Sequence, residues 1–238
     1  MNWYLNSTKN LANSFIFILP LLVIYEIGIA LHGANIKNTA DVVIERFFGL
    51  LGKNGSLIFN LLVIILLFIS LFYIEKNTIF NPLTIITVFI LMFIESIAYA
   101  IVIGVGISSL VYKILFPYAL AIIGIEKSMY IILSAGAGVY EEILFRFILI
   151  SFLCIIFITL LKMNKYIGKT VSVIIGSLIF AILHYIGNFS DSFTYTNFTF
   201  RLLSGIILSV IFIMRGLGVA VYTHAIYDLI TVIKPFKI

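Results

Sequence analysis

Charged residues are scarce in this chain of 238 residues. They make up only 11% of it, whereas hydrophobic residues make up 63%. A soluble globular domain carries about 25% charged residues, so this composition excludes a soluble enzyme and a disordered chain. The 15 Lys and Arg residues, which give a net charge of +5, are spread along the chain. They form no basic stripe of the kind that binds nucleic acid, so we expect them to flank membrane spans.

Cysteine is almost absent. The single cysteine, Cys154, lies inside an apolar run and excludes an intramolecular disulfide framework. No base neighbours it in the sequence, and its surroundings resemble a lipid-facing segment. A cysteine nucleophile needs a nearby group that stabilises the thiolate, so we assign Cys154 no catalytic role.

Long apolar runs are abundant instead. A helix that spans a bilayer needs about 20 mostly apolar residues. Residues 106–127 are also apolar but contain two lysines, a proline and a glutamate, so they are a candidate for a further short or re-entrant span. The sequence therefore predicts an all-α, polytopic transmembrane helix bundle with seven or eight spans, in one integral membrane domain over residues 1–238. The seven clear candidates are 11–31, 57–73, 83–105, 128–161, 171–186, 198–214 and 217–233.

Three segments outside this simple pattern carry further expectations. The first run follows Lys9 and has no small-residue cleavage site, so we interpret it as a retained span and not as a signal peptide. Apolar and charged residues are mixed over about 36–53, which suits an amphipathic helix in the membrane interface or an ordinary connecting loop. The run 128–161 is too long for one perpendicular crossing, and its small residues at 134–138 permit a kink or close packing.

Ionisable residues within the predicted spans are the candidates for function. Each costs at least ~2.5–3.5 kcal/mol at the centre of a bilayer. Six of the nine fall into three compact groups in the second half of the chain. The nine residues are Glu26, Glu95, Glu141, Glu142, Arg146, His184, Arg201, His224 and Asp228.

The first group is Glu-Glu-Ile-Leu-Phe-Arg at 141–146. On an α-helix, Glu142 and Arg146 are four residues apart and share a face, in the order that favours an ion pair. Glu141 is rotated by about 100° and lacks that partner. A carboxylate without a cationic partner is the better general base. We therefore predict that Glu142 and Arg146 form a structural ion pair and that Glu141 is the catalytic base, although a helix end among lipid headgroups would also explain the group.

The other two groups contain histidines. Phe180 and His184 share one helix face at four-residue spacing, as do His224 and Asp228. A single histidine in a helix is as often a packing residue as a functional one. When the spans are threaded through a membrane, however, Glu141, His184, His224 and Asp228 all fall in the same half of the bilayer. We therefore expect these four residues to converge.

The three motifs are Glu-Glu-x-x-x-Arg, Phe-x-x-x-His and His-x-x-x-Asp, each on its own predicted helix. Together they resemble the CAAX protease and bacteriocin-processing family of intramembrane endopeptidases, also called the abortive-infection family. The resemblance covers a motif-bearing core at about 115–233. It implies a peptide hydrolase of a membrane, which we expect to be the bacterial cytoplasmic membrane, acting on a membrane-embedded or membrane-associated protein or peptide.

The resemblance also implies roles for individual residues. Glu141 would activate the water that attacks the scissile amide, and His184 would hold that water or move its proton. His224 with residue 228 would stabilise the oxyanion. Asp228 stands where the prenyl-protease branch of the family has asparagine, and an ionised aspartate cannot donate a hydrogen bond. We expect Asp228 to orient His224 as an imidazolium or to be protonated itself.

We expect no metal and no other cofactor. Glu141, His184 and His224 would form a two-histidine, one-carboxylate zinc set if a metal were present. The zinc-helix signature, with two histidines four residues apart and a glutamate between them, is absent from the sequence.

Two functions other than proteolysis are compatible with the sequence. One is a non-proteolytic membrane scaffold or immunity factor that keeps the fold and cuts nothing. The other is a proton-coupled transporter, which would use buried acids and histidines as a relay. A transporter predicts inverted repeats, and the first half of the chain contains no counterpart of the three motifs. We therefore favour proteolysis.

Overall fold

The computed structural model describes residues 2–32, 61, 62, 65, 69, 82–107, 109–111, 127–186 and 193–233. Within these ranges every regular element is helical and no strand occurs, which agrees with the predicted all-α class. The predicted interfacial helix at 36–53 lies outside the described residues. Most of the predicted second span at 57–73 and of the ambiguous segment 106–127 also lies outside them.

The third, fourth and fifth α-helices in chain order continue without a break into π-helical segments. We number the α-helices α1 to α8. They are α1 Asn2–Lys9, α2 Leu11–His32, α3 Pro82–Ile101 with the π-helix Val102–Ile107, α4 Lys127–Gly136 with the π-helix Ala137–Ile150, α5 Ser151–Cys154 with the π-helix Ile155–Leu160, α6 Lys165–Leu183, α7 Tyr195–Arg215 and α8 Leu217–Ile233.

Side-chain caps explain where several helices begin. The Asn10 side chain accepts a hydrogen bond from the backbone N–H of Ala12 at 2.9 Å and starts α2. The Asn164 side chain accepts one from Tyr166 at 2.9 Å and starts α6. Thr194 plays the same part for α7. Each cap satisfies a backbone donor that has no partner within the helix, so α6 and α7 begin earlier than the apolar pattern predicted.

Residues 127–160 form one continuous helix, which we call the long helix. The helix continues through the small residues at 134–138, since Gly136 has helical angles (φ −64°, ψ −46°) and a π-helix follows directly. The structure shows close packing at these residues. A Cβ atom at Gly138 would lie 2.8 Å from the carbonyl oxygen of Val221 and 2.9 Å from the Cβ of Ala225. Glycine is therefore required where α8 crosses the long helix.

The helix α8 is central to the described bundle, in contact with α2, α3, α7 and the long helix. Gly218 packs against Met92 near its start, and Ile230 packs against Gly104 near its end, so α8 runs parallel to α3. Its residues from Val219 to Val221 are fully buried. This short helix is surrounded by protein, which suits its lack of a polar face.

The helices α6 and α7 pack antiparallel to each other. Phe180 of α6 faces Gly205 of α7, and the hydroxyls of Ser177 and Ser209 lie 3.3 Å apart. As a result, α6 and α8 end at the same end of the bundle, which we call the His184 end.

Five of the described helices are long and apolar enough to cross a membrane. This finding supports an integral membrane bundle and leaves the predicted number of seven or eight spans open. A shorter apolar helix, Leu217–Ile230, corresponds to the last predicted span. The five are Leu11–Leu31, Leu83–Val111, Met129–Leu160, Lys165–Leu183 and Tyr195–Arg215.

The turn between α7 and α8 depends on Gly216. Its backbone angles of φ 96° and ψ 174° lie in a region that is essentially reserved for glycine. A Cβ atom there would also overlap the carbonyl oxygen of Thr8. We expect Gly216→Ala to reduce the free energy of unfolding by about 1–3 kcal/mol, the range for such backbone strain. Thermal unfolding in detergent micelles measures the effect.

The matched control is Gly106→Ala. A Cβ atom at Gly106 meets nothing within 4 Å, so this variant should unfold at or slightly above the wild-type temperature, since alanine favours helix. Equal melting temperatures for the two variants would show that the α7–α8 turn tolerates a side chain.

Candidate active site

The π-helical part of the long helix contributes three charged side chains to the bundle interior. Glu141, Glu142 and Arg146 are exposed by only 4%, 0% and 1%. They lie in the segment Ala137–Ile150, which is π-helical and not α-helical as the spacing predicted. In a π-helix the backbone bonds join residues five apart, and such turns are frequent at functional sites. The wider turn allows both neighbouring glutamates to face α8.

Glu142 is bound from two sides. Its Oε1 lies 2.8 Å from Nη1 of Arg146, so the predicted ion pair is present. The same oxygen lies 2.6 Å from Nδ1 of His224. A carboxylate oxygen accepts hydrogen bonds, so we assign Nδ1–H of His224 as the donor. This hydrogen bond joins α8 to the long helix and was not predicted from the sequence.

Glu141 occupies the space between the two histidines. Its Oε2 lies 3.8 Å from Nε2 of His184 and also 3.8 Å from Nε2 of His224. These distances are too long for direct hydrogen bonds. Polar groups separated by more than 3.5 Å are commonly bridged by a water molecule. The three atoms therefore define a point at which one small polar molecule can be held.

His184 lies directly after the last residue of α6, where its backbone is still helical. Its Nδ1 lies 2.9 Å from the carbonyl oxygen of Phe180. A carbonyl only accepts, so Nδ1 carries the proton and neutral His184 presents an Nε2 lone pair to Glu141. The end of α6 thus provides both the position and the tautomer of this ring.

Aromatic rings surround the charged groups. The guanidinium carbon of Arg146 lies 4.3 Å from the centre of the Phe180 ring, a cation–π distance. The same ring packs edge-on against His184 at 4.7 Å. Tyr227 stacks on His224 with ring centres 4.9 Å apart and planes at 10°. The Phe180 ring centre also lies 6.5 Å from that of His224, edge-on, so Phe180, expected as a supporting residue, contacts members of both other motifs.

Asp228 also lies close to His224, as the four-residue spacing predicted. Its Oδ2 lies 3.6 Å from Nε2 of His224, and its side chain is 27% exposed. The closer acidic partner of His224 is Glu142, on the opposite ring nitrogen. Sequence spacing favoured Asp228 because it lies one turn away on the same helix, whereas the contact from Glu142 comes from another helix.

The structure thus brings together the four predicted catalytic residues, Glu141, His184, His224 and Asp228, at one place between α6, α8 and the long helix. Tyr227 was missed, although its position three residues after His224 puts it on the same helix face. Arg201 was noted only as an ionisable residue. Its guanidinium lies 5.3 Å from the centre of the Tyr185 ring, next to His184.

If a metal were present, Glu141, His184 and His224 were its expected ligands. Two observations bear on this alternative. Both histidines have Nδ1 bonded to another group, which is how metal-binding histidines are usually fixed. For His184 this group is the Phe180 carbonyl, and for His224 it is the Glu142 carboxylate. Within the described ranges, however, no three His, Cys, Asp or Glu side chains are arranged to hold a metal ion, so the residues as placed do not fit a metal site.

Apolar helices around a buried acid–imidazole site define an integral membrane protein with a polar centre. Comparison with protein families gives the more particular result. Residues 125–230 match the family model described as type II CAAX prenyl endopeptidase Rce1-like. The matched segment contains all three motifs and confirms the resemblance to the CAAX protease family. No curated protein and no solved structure showed significant similarity to the chain.

The contacts of Glu142 and Glu141 predict different effects on stability. Glu142→Gln leaves the buried Arg146 without its anionic partner, and breaking such a pair costs about 3–5 kcal/mol. Glu141→Gln removes a carboxylate that makes no contact within 3.5 Å to either histidine, so we expect its melting temperature to stay close to that of the wild type. Thermal unfolding of both variants in the same detergent measures the difference.

The double variant Glu142→Gln/Arg146→Met is the control for charge burial. Replacing both partners of a buried pair by neutral groups is often close to neutral, so this protein should recover part of the lost stability. A Glu141→Gln protein less stable than Glu142→Gln would reverse our assignment of the two glutamates.

Proposed function

We propose that this protein is an intramembrane endopeptidase in which Glu141 activates a water molecule for attack on a peptide bond. The observation that carries the proposal is the arrangement of three atoms. Oε2 of Glu141 faces the Nε2 atoms of His184 and His224 at equal distances of 3.8 Å. The family match over residues 125–230 makes peptide hydrolysis the reaction class to which this arrangement is most naturally assigned.

The reaction begins with a water bound between Glu141 and His184. The Nε2 lone pair of His184 accepts one hydrogen bond from the water, and the Glu141 carboxylate accepts the other. Glu141 takes a proton from the water as the hydroxyl oxygen bonds to the carbonyl carbon of the substrate. General-base assistance of this kind contributes typically 10²–10⁴-fold to the rate.

His224 is the candidate for stabilising the negative charge that develops on the carbonyl oxygen. Its Nδ1–H is committed to Glu142, so Nε2 donates to that oxygen when the ring carries a second proton. Glu142 at 2.6 Å and Asp228 at 3.6 Å both favour this imidazolium. A single preorganised donor at such an oxyanion is worth about 2.7–4 kcal/mol.

The peptide bond then breaks and the proton held by Glu141 passes to the leaving nitrogen. The water has by then supplied its hydroxyl group to the new carboxylic acid and its proton to the new amine. Arg146 and Phe180 do not touch the reacting atoms in this scheme. They position Glu142 and His184, and through them the two histidine rings.

The substrate class follows from where the site lies and from the family description. A site enclosed by apolar helices is accessible to a membrane-embedded or membrane-associated peptide. The description of the family as prenyl endopeptidases makes a peptide with a prenylated cysteine close to its C-terminus the first probe. The bacterial cytoplasmic membrane remains a prediction for the location of the protein.

The test uses purified protein in lipid nanodiscs and two internally quenched peptides, one with a farnesylated cysteine three residues from its C-terminus and one with an unmodified cysteine. We expect the wild type to cleave at least the farnesylated peptide. Glu141→Gln and His184→Ala should each reduce kcat by roughly 10²- to 10⁴-fold. Glu26→Gln is the matched control, since Glu26 is also a span carboxylate but bonds Tyr140 and lies outside the site.

Undiminished cleavage by the Glu141→Gln protein would refute the proposed role of this residue. If the wild type cleaves neither peptide, new protein N-termini are measured in a membrane fraction. Cells that carry the wild type are compared with cells that carry the Glu141→Gln variant. Identical termini in the two samples would favour the non-proteolytic scaffold over an enzyme.

We further predict that hydrolysis needs no metal. A glutamate base requires only an ordered water, and Glu141 with His184 provides a place for one. Protein treated with a strong chelator and then dialysed should keep its full rate on the cleaved peptide, with less than stoichiometric metal by elemental analysis. Stoichiometric zinc whose removal abolishes cleavage, and whose return restores it, would make Glu141, His184 and His224 ligands instead.

A further inference from the structure

A second polar cluster lies away from the candidate active site, close to the turn between α7 and α8. It consists of Tyr4, Glu95, Tyr99 and Arg215, and we call it the Glu95 cluster. Arg215 binds the Glu95 carboxylate through both Nε and Nη2, the latter at 2.7 Å. The hydroxyls of Tyr4 and Tyr99 donate to the same carboxylate at 2.6 and 3.0 Å.

The cluster joins three helices at the end of the bundle opposite the His184 end. Tyr4 belongs to α1, Glu95 and Tyr99 to α3, and Arg215 to the last turn of α7. The Arg215 guanidinium also lies 5.1 Å from the centre of the Tyr4 ring. Burial and the hydrogen bond to Glu95 raise the pKa of Tyr4 well above its ordinary value, so its phenol keeps its proton and remains a donor.

We infer that the Glu95 cluster positions His224 by fixing the register of α8 against α3. Arg215 is followed by Gly216 and then by the first residue of α8. Binding Arg215 to Glu95 therefore attaches the start of α8 to the side of α3. Because α8 is a rigid helix, the height of its first residue sets the height of His224, eight residues beyond Gly216.

Neighbouring contacts also fix the position of α8 along α3. The hydroxyl of Ser96, next to Glu95, lies 3.3 Å from the carbonyl oxygen of Val219 in the first turn of α8. Gly218 packs closely on Met92 and Ser14. All these contacts concern the first turn of α8, and each would be lost if the helix slid along α3 by one turn, about 5.4 Å.

A buried charged cluster is better suited to fixing the register between two helices than to increasing the free energy of unfolding. Replacing a buried ion pair by packed apolar residues is often neutral or stabilising, and the best-attested use of such a pair is to select one register. Here the side chains of Glu95 and Arg215 are only 20% and 8% exposed. The bidentate contact fixes both the distance and the direction of approach, which sliding apolar surfaces do not.

The precision required at His224, midway along α8, is high. His224 Nδ1 lies 2.6 Å from Glu142, and hydrogen bonds weaken steeply beyond their normal range. A misplacement of 1 Å in an active site can reduce the rate about 10²-fold. Glu95 and Arg215 are thus positioning residues for the reaction, since they act only through His224.

Cysteine cross-linking measures the register directly. In a Cys154→Ala background, Gly104→Cys/Ile230→Cys joins α3 to α8, because a Cβ atom at Gly104 lies 3.4 Å from Cβ of Ile230. This separation is close to the 3.5–4.5 Å that a disulfide needs. The control pair, Ser177→Cys/Gly205→Cys, joins α6 to α7 with the same Cβ separation of 3.4 Å.

We expect Glu95→Gln to slow oxidation of the α3–α8 pair at least tenfold and to leave the α6–α7 pair unchanged. Arg215→Lys should act in the same way, because lysine keeps the charge but loses the bidentate contact. This second variant also serves if Glu95→Gln does not assemble. Wild-type oxidation rates for the α3–α8 pair in both variants would overturn the inference.

The activity readout rests on the proposed endopeptidase function and uses the farnesylated peptide. Glu95→Gln should lower kcat about 10²-fold with KM within twofold, because the substrate-contacting groups remain. Oxidising the Gly104→Cys/Ile230→Cys link should restore kcat, and reduction should remove it again. A loss of kcat that the oxidised link does not restore would refute the positioning role. An inactive wild type would refute the peptidase proposal alone, since the cross-linking rates still decide the register.

Discussion

The hydrogen bond between His224 and Glu142 is the contact on which the rest of the site depends. It crosses from α8 to the long helix, and the same carboxylate oxygen faces Arg146. Because the three groups are buried, each depends on the other two. A charged group without its partners in an apolar interior raises the free energy of the folded protein. Once the hydrogen bond has formed, Nε2 of His224 can face only towards Glu141. Close packing at Gly138 serves the same end, since it brings α8 to within hydrogen-bonding reach of the glutamates.

Much of the fold and of the site could be predicted from the sequence, for identifiable reasons. Apolar runs of the right length located six helices that the structure describes, and four-residue spacing located the Glu142–Arg146 pair. What spacing cannot give is contact between helices. Glu142 as the partner of His224 depends on which helix lies beside which. The π-helix over Ala137–Ile150 was also beyond reach, because apolar residues suit either helix type.

The two polar clusters act at different positions along α8. At its start, the Glu95 cluster holds the helix with a bidentate ion pair, and near its middle His224 meets two glutamates of another helix. Neither cluster touches the other, so the link between them is the stiffness of α8 itself. A short helix whose first half is buried suits that task, because every neighbour resists its bending. The surrounding helices therefore hold α8 in place, and α8 fixes the position of the His224 imidazole within the bundle.

The bonds to Nδ1 in both histidines have a consequence for how protons travel. A ring that turned over would exchange its two nitrogens, but here each turn would break a bond to Phe180 or to Glu142. Each ring is therefore held with Nδ1 bonded and with Nε2 directed towards Glu141. A proton that arrives at Nε2 of His184 must also depart from Nε2, into the same small space beside Glu141. His184 therefore exchanges protons only with the space beside Glu141, because the Phe180 carbonyl on its Nδ1 does not take up a proton.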